Sequence, residues 1–330
     1  MTPLIRAERL SQHFRMRGSL FGPSQVVHAV DEVDLSIDRG EAVGLIGESG
    51  SGKTTLGRTL LQLYPPTGGH IYFDGTDVTG ARGSSLRNLR RRMQMVFQNP
   101  SSAVNRRKRI GEIIKEPLRV HGIGDTGSRT QRARELLDLV GLPVDFESRY
   151  PHEVSGGQLQ RVGIARALAL EPDFIVADEP TASLDVSIRA QVINLLVDLR
   201  ARLGLTLLFI SHDLSIVSYL CERVAVMYLG RIVEVGPKAE VEREPLHPYT
   251  RALLSAIPRP DPRARRFQSA PLGEIPSAVH RPSGCHYHPR CPLAMPHCAT
   301  LYPPLEMKAP GRWVACHAVS PMESSDEHEH

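Results

Sequence analysis

Residues 47–54 read Gly47-Glu48-Ser49-Gly50-Ser51-Gly52-Lys53-Thr54, and no other stretch constrains the fold as much. The octet has the G-x-x-x-x-G-K-[ST] spacing of a phosphate-binding loop. Gly47, Gly50 and Gly52 open backbone conformations closed to residues with a Cβ, so successive N–H groups can point at one anion. Lys53 sets a cation against β- and γ-phosphates, and Thr54 offers a hydroxyl to Mg²⁺. Residues 42–46 before the loop form an apolar run that predicts a short buried strand. Residues 55–61 after it predict a helix whose positive end faces the phosphates. A Gly/Ser linker that happened to fit the octet would lack both flanks.

With 330 residues the chain can bury one large core or two domains. A net charge of +4 is too mild to argue for nucleic acid. No stretch approaches the roughly 18 uninterrupted apolar residues of a membrane span. The first eight residues lack the basic start and apolar run of a secretory signal. The reading is therefore cytosolic, where five cysteines point to metal or inert thiols rather than disulfides.

Residues 4–14 and 26–37 alternate apolar and polar positions and predict antiparallel strands, with 15–25 as a loop between them. Phe14 closes the first strand, where an aromatic ring could either stack on a base or fill the core. Residues 70–75 and 93–97 predict further strands, the second preceded by a basic run at 87–92 and ending at Gln98. Residues 99–150 change character: a polar, basic stretch precedes helical apolar spacing at 110–121 and 130–140, which reads as a helical insertion. Ser155-Gly156-Gly157-Gln158 then opens a helix, with Ser155 suited to its N-cap. A buried strand at 174–177 ends at Asp178-Glu179, a helix covers 188–203, and a strand at 206–210 ends at Ser211-His212. Beyond about Gly236 the composition shifts to Pro, Arg, His and Cys, which sets a boundary there. The tail 323–330 is charged and predicts disorder.

Four apolar strands thus each end in a polar group: the phosphate loop, Gln98, Asp178-Glu179 and His212. In a parallel α/β sheet the carboxyl ends of the strands share one edge, and ligands bind there. Four groups scattered over the chain converge on one phosphate.

With Ser155-Gly156-Gly157-Gln158 added, the set resembles the ATP-binding subunits of ABC (ATP-binding cassette) transporters over residues 4–240. The resemblance implies a P-loop ABC ATPase core of α/β class at 1–98 and 151–236 with an antiparallel β subdomain. It also implies a helical subdomain at 99–150 and a small Cys-rich extension at 237–330. It gives Gly47–Thr54 as the Walker A loop, so that Gly47, Gly50, Ser51, Gly52, Lys53, Thr54 and the adjoining Thr55 hold ATP. Gln98 becomes the Q-loop glutamine, Ser155–Gln158 the signature, and Asp178 the Walker B aspartate. Glu179 becomes the catalytic base, Ser183-Leu184-Asp185 the D-loop, His212 the switch histidine and Phe14 the adenine-stacking ring. Thr54, Gln98 and Asp178 would hold Mg²⁺, as suits a hard cation. The resemblance further implies a head-to-tail dimer, with Ser155 and Gly157 of one subunit closing over ATP held by the other.

Within that family the octet, Gly111-Glu112-Ile113-Ile114 with Glu116-Pro117-Leu118, and His247-Pro248-Tyr249-Thr250-Arg251-Ala252-Leu253-Leu254 resemble the oligopeptide/dipeptide (and nickel) importer ATPases. The implied partners are a second homologous ATPase subunit in a heterodimer, two transmembrane permease subunits and an extracytoplasmic solute-binding protein, with the chain at the cytoplasmic face of the membrane and no nucleic acid. Asn99–Arg107 departs from the family pattern on the side that would face the permease. Cys285, Cys291, Cys298 and Cys316 resemble the cysteine pattern of those importers' C-terminal extension. Four thiolates suit a 4Fe–4S cluster or Zn²⁺, and the long spacing favours iron–sulfur. His286, His288, His297 and His317 are alternative ligands, and Cys221 is a buried apolar residue. The extension is expected to stand apart from the ATP site. Other readings are a nickel or small-solute importer and a soluble ABC ATPase of DNA repair or translation. The last usually carries a long coiled-coil insertion or two fused cassettes, against about 55 residues of insertion here.

Overall fold

Five residues that are all buried, Ala42–Ile46, form a strand at the centre of the main sheet because a strand covered on both faces has no polar side to present. The computed structural model describes residues 2–16, 25–256 and 276–320; most of the loop expected at 15–25 and the tail at 323–330 lie outside them. In chain order the elements are β1 (Ile5–Met16), β2 (Gln25–Ile37), β3 (Ala42–Ile46), α1 (Lys53–Leu60), β4 (Gly68–Phe73), β5 (Thr76–Asp77), α2 (Gly83–Arg92) and β6 (Met93–Val96). There follow α3 (Pro100–Ala103), α4 (Ile110–His121), α5 (Thr126–Leu139), α6 (Gly156–Leu168), β7 (Phe174–Asp178), α7 (Val186–Leu203), β8 (Thr206–Ile210) and α8 (Leu214–Leu220). The last are β9 (Arg223–Tyr228), β10 (Arg231–Pro237), α9 (Lys238–Arg243), α10 (Pro248–Ser255), β11 (Glu306–Ala309) and β12 (Arg312–Val314).

Two sheets result. The antiparallel one has the order β2-β1-β4-β5, and the main one runs β11-β12-β10-β9-β3-β8-β7-β6. Within the main sheet β3, β6, β7 and β8 are mutually parallel. Their carboxyl ends therefore lie along one edge, as the four-strand argument requires. One apolar cluster fills the space between this sheet, α6–α8 and the helical region, with Ile110, Ile114, Leu136, Leu137, Val162 and Phe209 fully buried. A second packs α1 between the two sheets through Leu56 and Leu60. Each fully buried Leu or Ile contributes roughly 1.5–3 kcal/mol.

Two local differences from the sequence reading stand out. The helix expected from residue 130 begins at Thr126, because Asp125 and Ser128 close a reciprocal capping box, the Asp125 carboxylate accepting from Ser128 N–H at 2.8 Å. The basic run at 87–92 belongs to α2, which sequence reasoning passed over. Arg92 at its end pairs with Asp173 (2.5 Å) and Asp74 (2.8 Å), and Arg39 joins both carboxylates. Cys221 follows α8 and is buried, and burial pushes its thiol far up.

The boundary set near Gly236 falls inside β10, and the polypeptide beyond it continues the main sheet: β12 pairs with β10 through Glu234–Val314 and Val235–Trp313. The join is sealed by charge. Glu234, fully buried, accepts from Arg312 Nη2 at 2.7 Å and from the backbone N–H of Leu246 and His247 at 3.0 and 2.9 Å. His247 in turn caps α10, its Nδ1 accepting from Tyr249 N–H at 3.0 Å, and burial pulls its pKa down to about 3. Burial also lowers His286, to about 4.

A depressed histidine pKa means that the unfolded chain takes up protons the folded chain refuses. Stability is therefore full above about pH 6.5 and falls as pH drops towards 4, by up to about 1.4 kcal/mol per pH unit for each histidine. Replacing His247 with Asn, whose Oδ1 can still accept the capping bond, should flatten the slope by one proton, measured by urea unfolding from pH 7 to pH 5. An unchanged slope would contradict the buried neutral imidazole.

Candidate active site

The phosphate loop is built by backbone conformation first. Gly50 and Gly52 have φ of +79° and +105°, and a Cβ at Gly52 would overlap the Ala29 carbonyl oxygen. The Lys53 ammonium, 6% exposed, donates to the carbonyls of Gly47 and Glu48 at 2.8 Å each and to Ser51 Oγ at 3.3 Å. It thus lies across the loop it must serve. Burial lowers its pKa, and the charges of Glu179, Asp178 and Glu48 oppose that. Thr54 and Thr55 follow in the first turn of α1, where a helix leaves its N–H groups without intrahelical partners.

The next strand ends close on this loop. Asp178, 2% exposed at the end of β7, accepts from Thr54 Oγ1 at 2.8 Å. Burial raises its pKa, the adjoining Glu179 charge adds to the rise, and the Thr54 bond works against it. Glu179 has φ +44°, a left-handed conformation costing about 1–3 kcal/mol in a residue with a Cβ. Its N–H donates to the Ile210 carbonyl at 3.0 Å, and this fixes the carboxylate at the sheet edge. Gln98 Nε2 donates to Glu179 Oε2 at 2.9 Å, and His212 Nδ1 lies 3.3 Å from Oε1. The groups following β3, β6, β7 and β8 therefore meet through direct side-chain bonds.

Ser155 takes part in none of those bonds. It caps α6 in a reciprocal box with Gln158, at 2.9 and 3.3 Å, and with Gly156 it is exposed. Gly157 is buried, and a Cβ there would overlap Ile188 of α7. Its glycine serves helix packing, a constraint not visible in the motif. Asp185 is exposed at the start of α7. Phe14, half-buried, meets Tyr64 edge-on at 5.4 Å, and the Tyr64 hydroxyl accepts from Arg58 on α1.

Two groups of functional interest escaped sequence reasoning. His13 Nε2, His28 Nδ1 and Asp31 Oδ1 stand 3.1–3.9 Å from one another, but Arg231 and Arg281 already neutralise Asp31 through its other oxygen. The second group corrects an expectation. The C-terminal extension does not stand apart from the ATP site: Arg290, beside Cys291, forms a two-pronged ion pair with Glu48 of the phosphate loop, at 3.0 and 3.2 Å. Tyr249 supports the same residue, its hydroxyl accepting from Glu48 N–H at 2.8 Å. Tyr249 lies in a stretch quoted above only as a family mark; nothing in its spacing tied it to residue 48.

Around the cysteines, Cys285 N–H donates to the Cys298 carbonyl at 2.8 Å, and His288 Nδ1 lies 2.9 Å from the Cys285 carbonyl, engaged with backbone. The His297 and His317 rings meet at 4.7 Å, and the His286 ring meets Tyr302 at 5.0 Å. Burial pushes the Cys285 thiol up to about 11, with Cys316, Cys298 and Cys291 adding to the rise.

A parallel sheet with a phosphate loop, an aspartate–glutamate pair and a glutamine and histidine on that glutamate defines an ABC ATPase. Comparison with known proteins agrees: the ABC transporter family matches residues 30–182, and the oligopeptide/dipeptide transporter C-terminal region matches residues 233–298. A putative peptide import ATP-binding protein of Brucella ovis is 54% identical over 315 residues, covering 96% of this chain and 98% of its own. The oligopeptide transport ATP-binding protein AppF of Bacillus subtilis is 47% identical, covering 96% and 98%. Among solved structures, the ATP-binding cassette MJ0796, a dimer bound to ADP and Pi, has a TM-score of 0.63 at 30% identity, covering 71% of this chain and 98% of its own. The chain belongs to the ATP-binding proteins of the oligopeptide/dipeptide import family of ABC transporters.

Overpacking at the signature should cost roughly 1–3 kcal/mol in a Gly157→Ala variant, and Ile188→Ala should recover most of that loss. Urea denaturation of both variants measures it. A Gly157→Ala chain as stable as the parent would contradict the close approach of α6 and α7.

Proposed function

We propose that the protein hydrolyses ATP to drive peptide import, pairing head-to-tail with a second homologous ATPase subunit beneath two transmembrane permease subunits that a solute-binding protein supplies from outside. It works at the cytoplasmic face of the membrane; among the described residues no helix is long and apolar enough to cross one. The observation that carries the reading is Glu179, gripped by Gln98 and His212 beside the Asp178–Thr54 pair.

The roles follow from those contacts. Lys53 and the loop N–H groups bind the phosphates, and Phe14 offers its ring to the adenine. The oxygens of Thr54, Asp178 and Gln98 suit Mg²⁺, and the burial that raises the Asp178 pKa is relieved by a cation. When bound, that ion neutralises phosphate charge. Glu179 orients the attacking water and accepts its proton, while His212 steadies the γ-phosphate. Ser155, exposed at the start of α6, and the adjoining glycines Gly156 and Gly157 present a second anion site to ATP held by the partner, with Asp185 contributing at that interface.

Exchanging Glu179 for Gln should preserve ATP affinity and lower kcat by about 100-fold or more, since shape persists and the base is lost. The closed dimer should accumulate on size-exclusion chromatography. Steady-state hydrolysis near the parental rate would remove Glu179 as the base.

We also propose that Cys285, Cys291, Cys298 and Cys316 hold a 4Fe–4S cluster. The support is the donor set itself, four thiols within one short segment, with Cys285 N–H donating to the Cys298 carbonyl. The cluster's part is structural, tying together a segment short of periodic apolar residues. Protein purified without oxygen should be brown, with about four irons per chain. A colourless, metal-free protein whose extension still resists protease would overturn this.

A further inference from the structure

Glu48 is the acidic residue of the phosphate loop, and its carboxylate shares a turn with the anion site: its own carbonyl holds the Lys53 ammonium. A free negative charge there would repel nucleotide phosphates. It is not free. Arg290 meets it with both Nη atoms at 3.0 and 3.2 Å, in a pair where the guanidinium is 5% and the carboxylate 21% exposed. Arg290 Nη1 also lies 3.4 Å from the Tyr228 hydroxyl. Tyr228, Tyr249 and Tyr287 pack ring against ring at 4.6–5.5 Å, so the two groups that touch Glu48 stand on one aromatic platform. Arg290 N–H donates to the Tyr287 carbonyl at 2.9 Å, which fixes its backbone on that platform. Residue 48 is thus held at its amide by Tyr249 and at its carboxylate by Arg290, both from beyond residue 237.

We propose that Arg290 and Tyr249 are positioning residues for nucleotide binding: they neutralise and orient Glu48 so that the loop accepts an anion, and the C-terminal extension thereby sets ATP affinity. The proposal rests on the ATPase reading and goes beyond it, since the residues that reach the loop lie in a segment otherwise expected only to stabilise itself. Neither residue touches the reacting atoms, so both act through Glu48. The effect belongs in binding: KM for ATP should rise while kcat at saturation holds within about twofold.

The test is a double-mutant cycle on the full chain with ATP as the probe. Arg290→Gln should raise Kd and KM for ATP about tenfold, because it strands a carboxylate beside the phosphates. In a Glu48→Gln background the same change should cost less than about twofold, because no stranded charge remains. Tyr249→Phe should weaken ATP binding several-fold at unchanged kcat. If Arg290→Gln does not fold, Tyr249→Phe carries the test: a several-fold rise in KM at unchanged kcat supports the proposal, and a parental KM overturns it. Equal loss from Arg290→Gln in both backgrounds would also overturn it, by showing that Arg290 acts on folding alone. Failure of the ATPase reading itself would appear differently, as absence of ATP binding by the parent chain.

Discussion

Backbone pressed against backbone holds the phosphate loop in place, and the rest of the site depends on that contact. Gly52 lies against the Ala29 carbonyl of β2 and Gly47 against the Met227 carbonyl of β9, each so near that a Cβ would overlap it. Ser51 accepts from Gly230 N–H at 2.9 Å, and the Gly230 carbonyl accepts from Asp31 N–H at 2.9 Å. The turn between β9 and β10 therefore bridges the two sheets at the loop. The glycines answer to two demands at once, conformations that aim N–H groups inward and room for neighbouring strands to approach. A cradle clamped on three sides has little left to reorganise when an anion arrives, which is the condition for strong electrostatic binding.

Three carboxylates, Glu48, Asp178 and Glu179, crowd the same edge, and the structure gives each a different partner. Asp178 has a hydroxyl, Glu179 an amide and an imidazole, and Glu48 an arginine. The partners sort by task. Without a guanidinium on either, the two carboxylates on the β7 edge can meet a cation or a water, whereas an arginine goes to the one carboxylate with no use for either. Burial lowers the pKa of Lys53, lying among them, and the same three charges oppose that.

Much of this was legible in the sequence because it is local. The octet, the apolar runs ending at Gln98, Asp178 and His212, and the Ser155 cap each fit within a dozen residues, and the parallel sheet follows from their polar ends. What escaped is what the chain achieves at long range. The pairing of β12 with β10 has no signature in three residues, Arg312–Val314, whose burial is set by the strand they join. Glu234 reads as one polar residue in an apolar strand, and only the fold reveals the arginine and two amides that make its burial tolerable. The start of α5 was missed for a lesser reason: Asp125 and Ser128 carry the signal, but a search for apolar spacing passes over a cap.

The ion pair between Glu48 and Arg290 joins residues 242 positions apart. During synthesis the loop emerges early and its countercharge late. At ribosomal rates of roughly 5–20 residues per second, that interval is on the order of 10–50 s. If Arg290 sets ATP affinity as proposed, the nascent cassette holds ATP less tightly throughout it, its Glu48 carboxylate still unanswered. Nucleotide binding then becomes a property of the nearly finished polypeptide, so a truncated translation product would be disfavoured from pairing through ATP with a complete subunit.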